Sequence, residues 1–259
     1  PMPLEGADYL VLESTYGNRR HDSRDVKALL GEIINHTAQR GGVLVIPAFA
    51  VGRSQMLLHY IRLLKDGGII PDLPIYLNSP MAVDVTEIFY RHHLEHRLTL
   101  KQCEAACSVA KIIRSAEESK ALNRRKGPMI IIAGSGMATG GRVVHHLKAF
   151  ASDPRNTILF AGFQAEGTRG AAMVNGAESI RIHGEDVPVR AEIVALDSLS
   201  AHADYAQILV WLKQMKQAPR QVFVTHGEQE AAAAMVRHVE DELHWPARVP
   251  DYMEIVQLK

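Results

Sequence analysis

Val222-Phe-Val-Thr-His226-Gly-Glu228 is a short apolar strand that ends on a histidine where a helix begins. Ala195-Leu-Asp-Ser-Leu-Ser-Ala-His202-Ala-Asp204 repeats the plan upstream, and Tyr9-Leu-Val-Leu-Glu13-Ser-Thr-Tyr-Gly17 puts a carboxylate at the same kind of strand end. Strand ends that feed helices are where open α/β sheets collect their reactive groups. Taken singly, Glu13 reads equally as a surface carboxylate, and His202 or His226 as a capping or core histidine. Two imidazoles in equivalent positions favour chemistry. Yet one or two histidines do not hold a catalytic zinc, which takes about three protein ligands. The chain reads as half of an active site.

Working outward, the same alternation runs through most of the sequence. Strands are predicted at Tyr9–Glu13, Val43–Pro47, Ile75–Asn78, Met129–Ala133, Thr157–Ala161, Glu192–Leu196 and Val222–Thr225. Amphipathic stretches separate them, such as Arg53–Lys65 with Met56, Leu57, Tyr60, Ile61 and Leu64 on one stripe. Asp204–Met215 has Ile208, Leu209 and Leu212 inward, and Asp204 is placed to cap it. Continuous apolar strands alternating with helices predict an α/β fold, a mainly parallel sheet covered by helices on both faces. Gly162–Val194 differs: short polar alternations such as Ser179-Ile-Arg-Ile-His183 suggest hairpin strands or a crossing between two domains.

Composition narrows the classes. A chain of 259 residues, 47% hydrophobic and 22% charged, has the make-up of a soluble globular protein. Lys+Arg and Asp+Glu balance at 29 each, so no global positive field advertises nucleic acid. The basic run Lys111–Lys126 could line a local channel, although a solvated helix and loop is the plainer reading. Cys103 and Cys107 are the only cysteines. They fit buried thiols in a reducing compartment, hence a cytoplasmic protein, better than a two-ligand metal site. No run approaches about 18 uninterrupted apolar residues, so no membrane span is expected.

Gly134-Ser-Gly-Met-Ala-Thr-Gly140-Gly141-Arg142 follows a strand and precedes a helix, a setting in which backbone amides can meet a phosphate. It is not a P-loop, because Arg142 stands where Lys-Ser or Lys-Thr is needed. As a dinucleotide fingerprint it fails on glycine spacing and on the missing acid after the next strand. A phosphate contact and a tight, ligand-free turn both stay open. His92 and His96 are spaced i, i+4 on a predicted helix without a third ligand, and His145 and His146 begin another helical stretch; all four read as surface or structural residues. No G-x-S-x-G elbow occurs, so serine hydrolase chemistry has no support.

Leu12-Glu-Ser-Thr-Tyr-Gly17, Ser200-Ala-His-Ala-Asp204 and Thr225-His-Gly-Glu228 together resemble, in order, motifs A, B and C of the β-CASP family, metallo-β-lactamase-fold nucleases that process nucleic acids. Between them, Val45-Ile-Pro-Ala-Phe-Ala-Val-Gly-Arg-Ser-Gln55, Ile75-Tyr-Leu-Asn-Ser-Pro-Met81, the Gly134–Arg142 loop and Gly162-Phe-Gln-Ala-Glu-Gly-Thr-Arg-Gly170 look like its inserted domain. The resemblance implies a Rossmann-like β-CASP domain over 21–194. Residues 1–20 and 195–259 would be pieces of an incomplete metallo-β-lactamase αββα domain. A histidine at motif C accompanies RNA-acting members, so His226 implies a ribonuclease acting on single-stranded RNA in processing or decay. The inserted domain would act as a lid over the strand.

The family's His-x-His-x-Asp-His signature, its next histidine and its bridging aspartate all precede motif A, and none is present here. The chain opens with Pro and reaches a strand within ten residues. It is therefore expected to be the C-terminal portion of a longer enzyme, with the missing N-terminal metallo-β-lactamase segment as its partner in the site and no cleavage by itself. In the intact protein the resemblance implies two zinc ions. His226 would be a ligand to one, His202 would protonate the leaving oxygen, and Glu13 would hold that imidazole. Ser200, Ser135 and Gly136 would contact RNA phosphates. Two alternatives stand beside this: a non-catalytic relative that binds RNA or scaffolds a processing complex, and a nucleotide-binding domain using the Gly134–Arg142 loop. A homodimer is left open.

Overall fold

In the central strands of the larger sheet, neighbouring residues serve different cores. The computed structural model, which describes residues 2–258, begins with β1 (Tyr9–Glu13), α1 (Val26–Gln39), β2 (Val43–Pro47), α2 (Arg53–Asp66), β3 (Ile75–Asn78) and α3 (Pro80–Arg91). There follow α4 (Leu100–Ser108), β4 (Lys111–Ile112), α5 (Ala116–Leu122), β5 (Met129–Ala133), α6 (Gly141–Phe150), β6 (Thr157–Phe160) and α7 (Arg169–Val174). The hairpin β7 (Ser179–Ile182) and β8 (Glu185–Pro188) precedes β9 (Glu192–Ala195), α8 (Tyr205–Leu212), β10 (Gln221–Thr225), α9 (Gln229–Leu243) and β11 (Ala247–Arg248). Each apolar run predicted as a strand is one.

Two units divide the chain: Ser23–Leu199, and the residues up to Asp22 together with those from Ser200 on. The sequence reading cut after residues 20 and 194. The second break falls later because β9 pairs with β6, and Leu196 and Leu199 are buried in the same core as β2 and β5.

Ser23–Leu199 is built on a parallel six-stranded sheet in the order β4-β3-β5-β2-β6-β9. Leu44, Ile46, Ile130, Ile132 and Leu159 enter one core with Leu57, Leu58 and Ile61 of α2. Val43, Val45, Met129, Ile131 and Ile158 enter the other with Val143 and Leu147 of α6. The period of two sends alternate side chains to opposite faces, so a strand covered on both sides must be apolar throughout. Each fully buried Leu or Ile contributes roughly 1.5–3 kcal/mol of transfer free energy. The hairpin expected within 162–194 is the antiparallel pair β7–β8.

Helix α3 corrects one expectation. It ends at Arg91, and His96 has extended backbone (φ −133°, ψ 173°), so His92 and His96 form no helical ladder. The His92 ring bonds Glu95 at 3.0 Å, while the His96 ring bonds the Phe89 carbonyl at 3.1 Å and stacks on the Phe89 ring. Both are engaged locally, which removes the spacing a metal would use.

The second unit holds a three-stranded parallel sheet, β1-β10-β11. Leu10, Leu12, Val222 and Val224 form its core with Ile208 and Leu212 of α8 and Met235 and Val239 of α9. Asp204 caps α8 in a capping box with Gln207, as its position predicts.

Candidate active site

Parallel pairing brings the catalytic candidates to one edge. Glu13 lies opposite Thr225 in the β1–β10 register, so the carboxylate and His226 leave the sheet side by side. Ser14 Oγ donates to the Thr225 carbonyl at 2.8 Å and ties the two strand ends together. That closeness depends on glycine. A Cβ on Gly227 would lie 2.5 Å from the Ser14 carbonyl oxygen, and one on Gly17 would lie 2.2 Å from that of Ala231. His226 itself takes a left-handed φ of 56°, uncommon for a non-glycine residue and a mark of a backbone held by its surroundings.

His202 arrives from the loop before α8. Its backbone N–H donates to Ser200 Oγ at 3.2 Å, so Ser200 shapes this loop from within. His21 Nε2–H donates to the His202 carbonyl at 2.9 Å, and the His21 backbone N–H donates to Asp204 Oδ2 at 2.9 Å. The Tyr16 ring meets His21 edge-on at 4.6 Å. Burial opposes the charge of Asp204, but the backbone N–H groups of Gln207 and His21 outweigh it and hold the carboxyl below its ordinary range.

At the centre, the Glu13 carboxylate bonds His202 Nδ1 at 3.1 Å. The Thr15 hydroxyl lies 3.3 Å from His202 Nδ1 and 3.3 Å from His226 Nδ1. The two rings are 5.4 Å apart between centroids. Burial again disfavours the Glu13 charge. Hydrogen bonds from the Thr15 side chain and from its backbone N–H (3.0 Å), with His202 adding to them, prevail and hold this carboxyl below the usual range. With Nδ1 held on both imidazoles, each Nε2 remains to meet a substrate or a metal.

The donor chemistry suits zinc. Glu13, His202 and His226 each offer a ligand atom, all within 4.8 Å of one another. Imidazole and carboxylate are zinc ligands of catalytic sites. His226 is exposed, and Thr15 fixes its ring from the side away from Nε2, the arrangement in which a ligating histidine is oriented through its other nitrogen.

Sequence reasoning named the three convergent residues but missed Thr15 and His21. Thr15 lay inside the Glu13 segment without a spacing signal. His21 sits in a polar stretch, and its role arises only when the chain turns back after Gly17. Ser135 belongs to the other unit, where it lines a cavity with Phe49 and Arg142. Gly136 lies beneath the Phe49 ring, and its carbonyl accepts from Gln164 Nε2 at 3.1 Å. Arg142 is structural: it donates to Asn78 Oδ1 at 2.8 Å and to the carbonyls of Ile113 and Arg114 at 2.9 and 2.6 Å. Cys103 and Cys107 are free thiols, and burial, with Cys103 adjacent, pushes Cys107 up to about 12. Neither is primed as a thiolate ligand.

Residues 54–173 match the family model of the Beta-Casp domain, and residues 186–250 match that of the Zn-dependent metallo-hydrolase RNA specificity domain. Ribonuclease TTHA0252 of Thermus thermophilus is 38% identical over 241 residues, covering 88% of this chain and 53% of that protein. The transcription termination factor FttA of Methanosarcina mazei is 32% identical over 263 residues, covering 96% of this chain and 41% of the relative. An RNase J-like protein of Methanocaldococcus jannaschii is 31% identical over 252 residues, covering 95% and 58%. The chain thus spans about half the length of the curated relatives it matches. With two family models in tandem over most of its length and a Glu-His-His cluster between parallel strand ends, the chain belongs to the β-CASP family of metallo-β-lactamase-fold proteins.

Proposed function

We propose that this chain carries the acid–base half of a zinc-dependent ribonuclease, a hydrolase of RNA phosphodiester bonds. The observation that carries the reading is the Glu13–His202 hydrogen bond of 3.1 Å, which fixes the imidazole by Nδ1 and leaves Nε2 to act. Glu13 orients the ring, and His202 delivers its Nε2 proton to the oxygen leaving phosphorus. A positioned acid of this kind is worth roughly 10²–10⁴ in rate. His226 is the zinc ligand of this chain. Zinc, when bound, supplies Lewis-acid polarisation of the phosphate and an activated water. The substrate is single-stranded RNA, in keeping with the RNA specificity domain matched at 186–250. A non-catalytic scaffold would have no use for the Glu13–His202 pair. The two free thiols suit the cytoplasm.

One cluster of two imidazoles and a carboxylate is too small for two zinc ions, so the remaining ligands belong to a metallo-β-lactamase segment beyond this span. The test compares the chain alone with the chain joined to that segment, measuring zinc per molecule and cleavage of single-stranded RNA. Cleavage is expected only from the joined protein, falling about 10²–10⁴-fold in kcat for His202→Ala. Zinc-dependent cleavage by the chain alone would sink the divided site; an inert, zinc-free joined protein would sink the enzyme.

A further inference from the structure

Gly52, Met56 and His59 recur every three to four residues, so they share one stripe along α2 and its cap, with Gln55 beside it. Phe89, from the end of α3, and Leu98, from the chain before α4, close that stripe into a pocket of about 160 Å³. We propose that this pocket binds one neutral ring of phenol size through a single O–H or N–H, carried by a free small molecule or by a tyrosine side chain of a protein partner. The pocket lies within the Ser23–Leu199 unit and owes nothing to the ribonuclease reading.

An acceptor is the first observation. Gln55 is 2% exposed, and its Oε1 has no hydrogen-bond partner among the described residues. The amide is not free to reverse. Thr86 Oγ1 donates its one proton to the Ala82 carbonyl at 2.7 Å, so towards Gln55 it accepts, and Gln55 Nε2 donates to it at 2.8 Å. The Gln55 oxygen is thereby fixed as the acceptor of the pocket wall. A buried acceptor without a donor is rare and costly, which points to a donor brought by a ligand.

Size and charge are the second. A cavity of about 150 Å³ suffices for benzene, so this one admits a single six-membered ring. Met56, Phe89 and Leu98 are its apolar walls. Phe89 is held by the His96 ring, stacked on it at 3.9 Å between centroids. Thioether and ring both make favourable contacts with an aromatic guest. No Asp, Glu, Lys or Arg is among the described residues that line the pocket, and burial lowers the pKa of His59, so its imidazole is neutral at neutral pH. An ion would be uncompensated here. A nucleobase has several polar edges and would strand them against the apolar walls. A phenol has one polar group, and one acceptor meets it.

The test titrates p-cresol, toluene and N-acetyl-tyrosinamide into this chain and follows the Met56 methyl and the His59 ring by NMR. p-Cresol is expected to shift both signals and to bind about 2- to 12-fold more tightly than toluene, the worth of one hydrogen bond. That preference should disappear in Gln55→Met, which keeps the length and removes the acceptor. N-acetyl-tyrosinamide shifting the same signals supports the pocket with a protein side chain as source. Binding of p-cresol without it supports a free molecule as source. Equal affinity for p-cresol and toluene, or no shift of either signal at millimolar ligand, overturns the proposal, as does a preference that survives in folded Gln55→Met. The comparison of ligands on the native chain decides even where that variant fails to fold, and none of these results bears on cleavage by the joined protein.

Discussion

Thr15 is the residue on which both imidazoles lean. Its hydroxyl lies 3.3 Å from each Nδ1, and its backbone N–H supports Glu13. Thr15→Val keeps the shape and removes the hydroxyl, and one hydrogen bond of this kind is worth about 1 kcal/mol. Zinc content of the joined protein is expected to hold while kcat falls roughly 5- to 10-fold, a split read by steady-state kinetics. In the other unit, His146 is fully buried; Nδ1–H donates to Asn123 Oδ1 and Nε2 accepts from Asn78 Nδ2, both at 2.6 Å. Burial, with His145 and Arg142 adding to it, lowers its pKa from 6.5 to about 4. The unfolded imidazole takes up a proton near 6.5 and the folded one only near 4. This stability is therefore complete above the unfolded value and lost as pH falls towards the folded one, about 3 kcal/mol over that window. Hydrogen exchange of the β3 and β5 amides should show the loss, and His146→Leu should remove it while leaving Asn78 and Asn123 short of a partner. Of the site, Glu13, His202 and His226 were legible because each closes an apolar strand or precedes a cap. Thr15 and His21 were not, since their roles exist only across the turn that follows β1.

Elements were more readable than contacts. The bounds of β2 and β5 follow from their apolar runs, because a strand buried on both faces admits no polar residue to blur its edge. The two-residue strands β4 and β11 carry no such signal and exist because a neighbour offers free backbone groups. The His92–His96 ladder failed for the opposite reason: spacing suggested a helix where Glu95 and Phe89 take the two rings locally. The turn after β1 supplies a test at this scale. Gly17→Ala places a methyl 2.2 Å from the Ala231 carbonyl oxygen, so the turn must move away from α9. A loss of roughly 1–3 kcal/mol is expected by chemical denaturation. Thr15, two residues away, should shift with it, and the imidazole resonances of His202 and His226 should change together.

For the whole molecule, charge and connectivity matter most. Lys+Arg and Asp+Glu are equal at 29, so under the proposed function affinity for RNA is expected to rest on a few local cations and not on net charge. A plot of log affinity against log salt should therefore be shallow, no steeper than about −3, the slope for roughly four phosphates on a single strand. A steeper slope in filter binding would mean a wider basic surface than four phosphates occupy. Connectivity has a consequence in time. Ser14 and the Thr225 carbonyl it bonds are 211 residues apart, and β10 is the sole strand partner of β1 among the described residues. At ribosomal speeds of about 5–20 residues per second, β1 waits roughly 10–40 s for its neighbour to be made. Throughout that interval Leu10 and Leu12 lack their shelter while the intervening unit has all of its strands to fold with. The motif that carries Glu13 is made well before the strand it pairs with and finds its place only when that strand arrives.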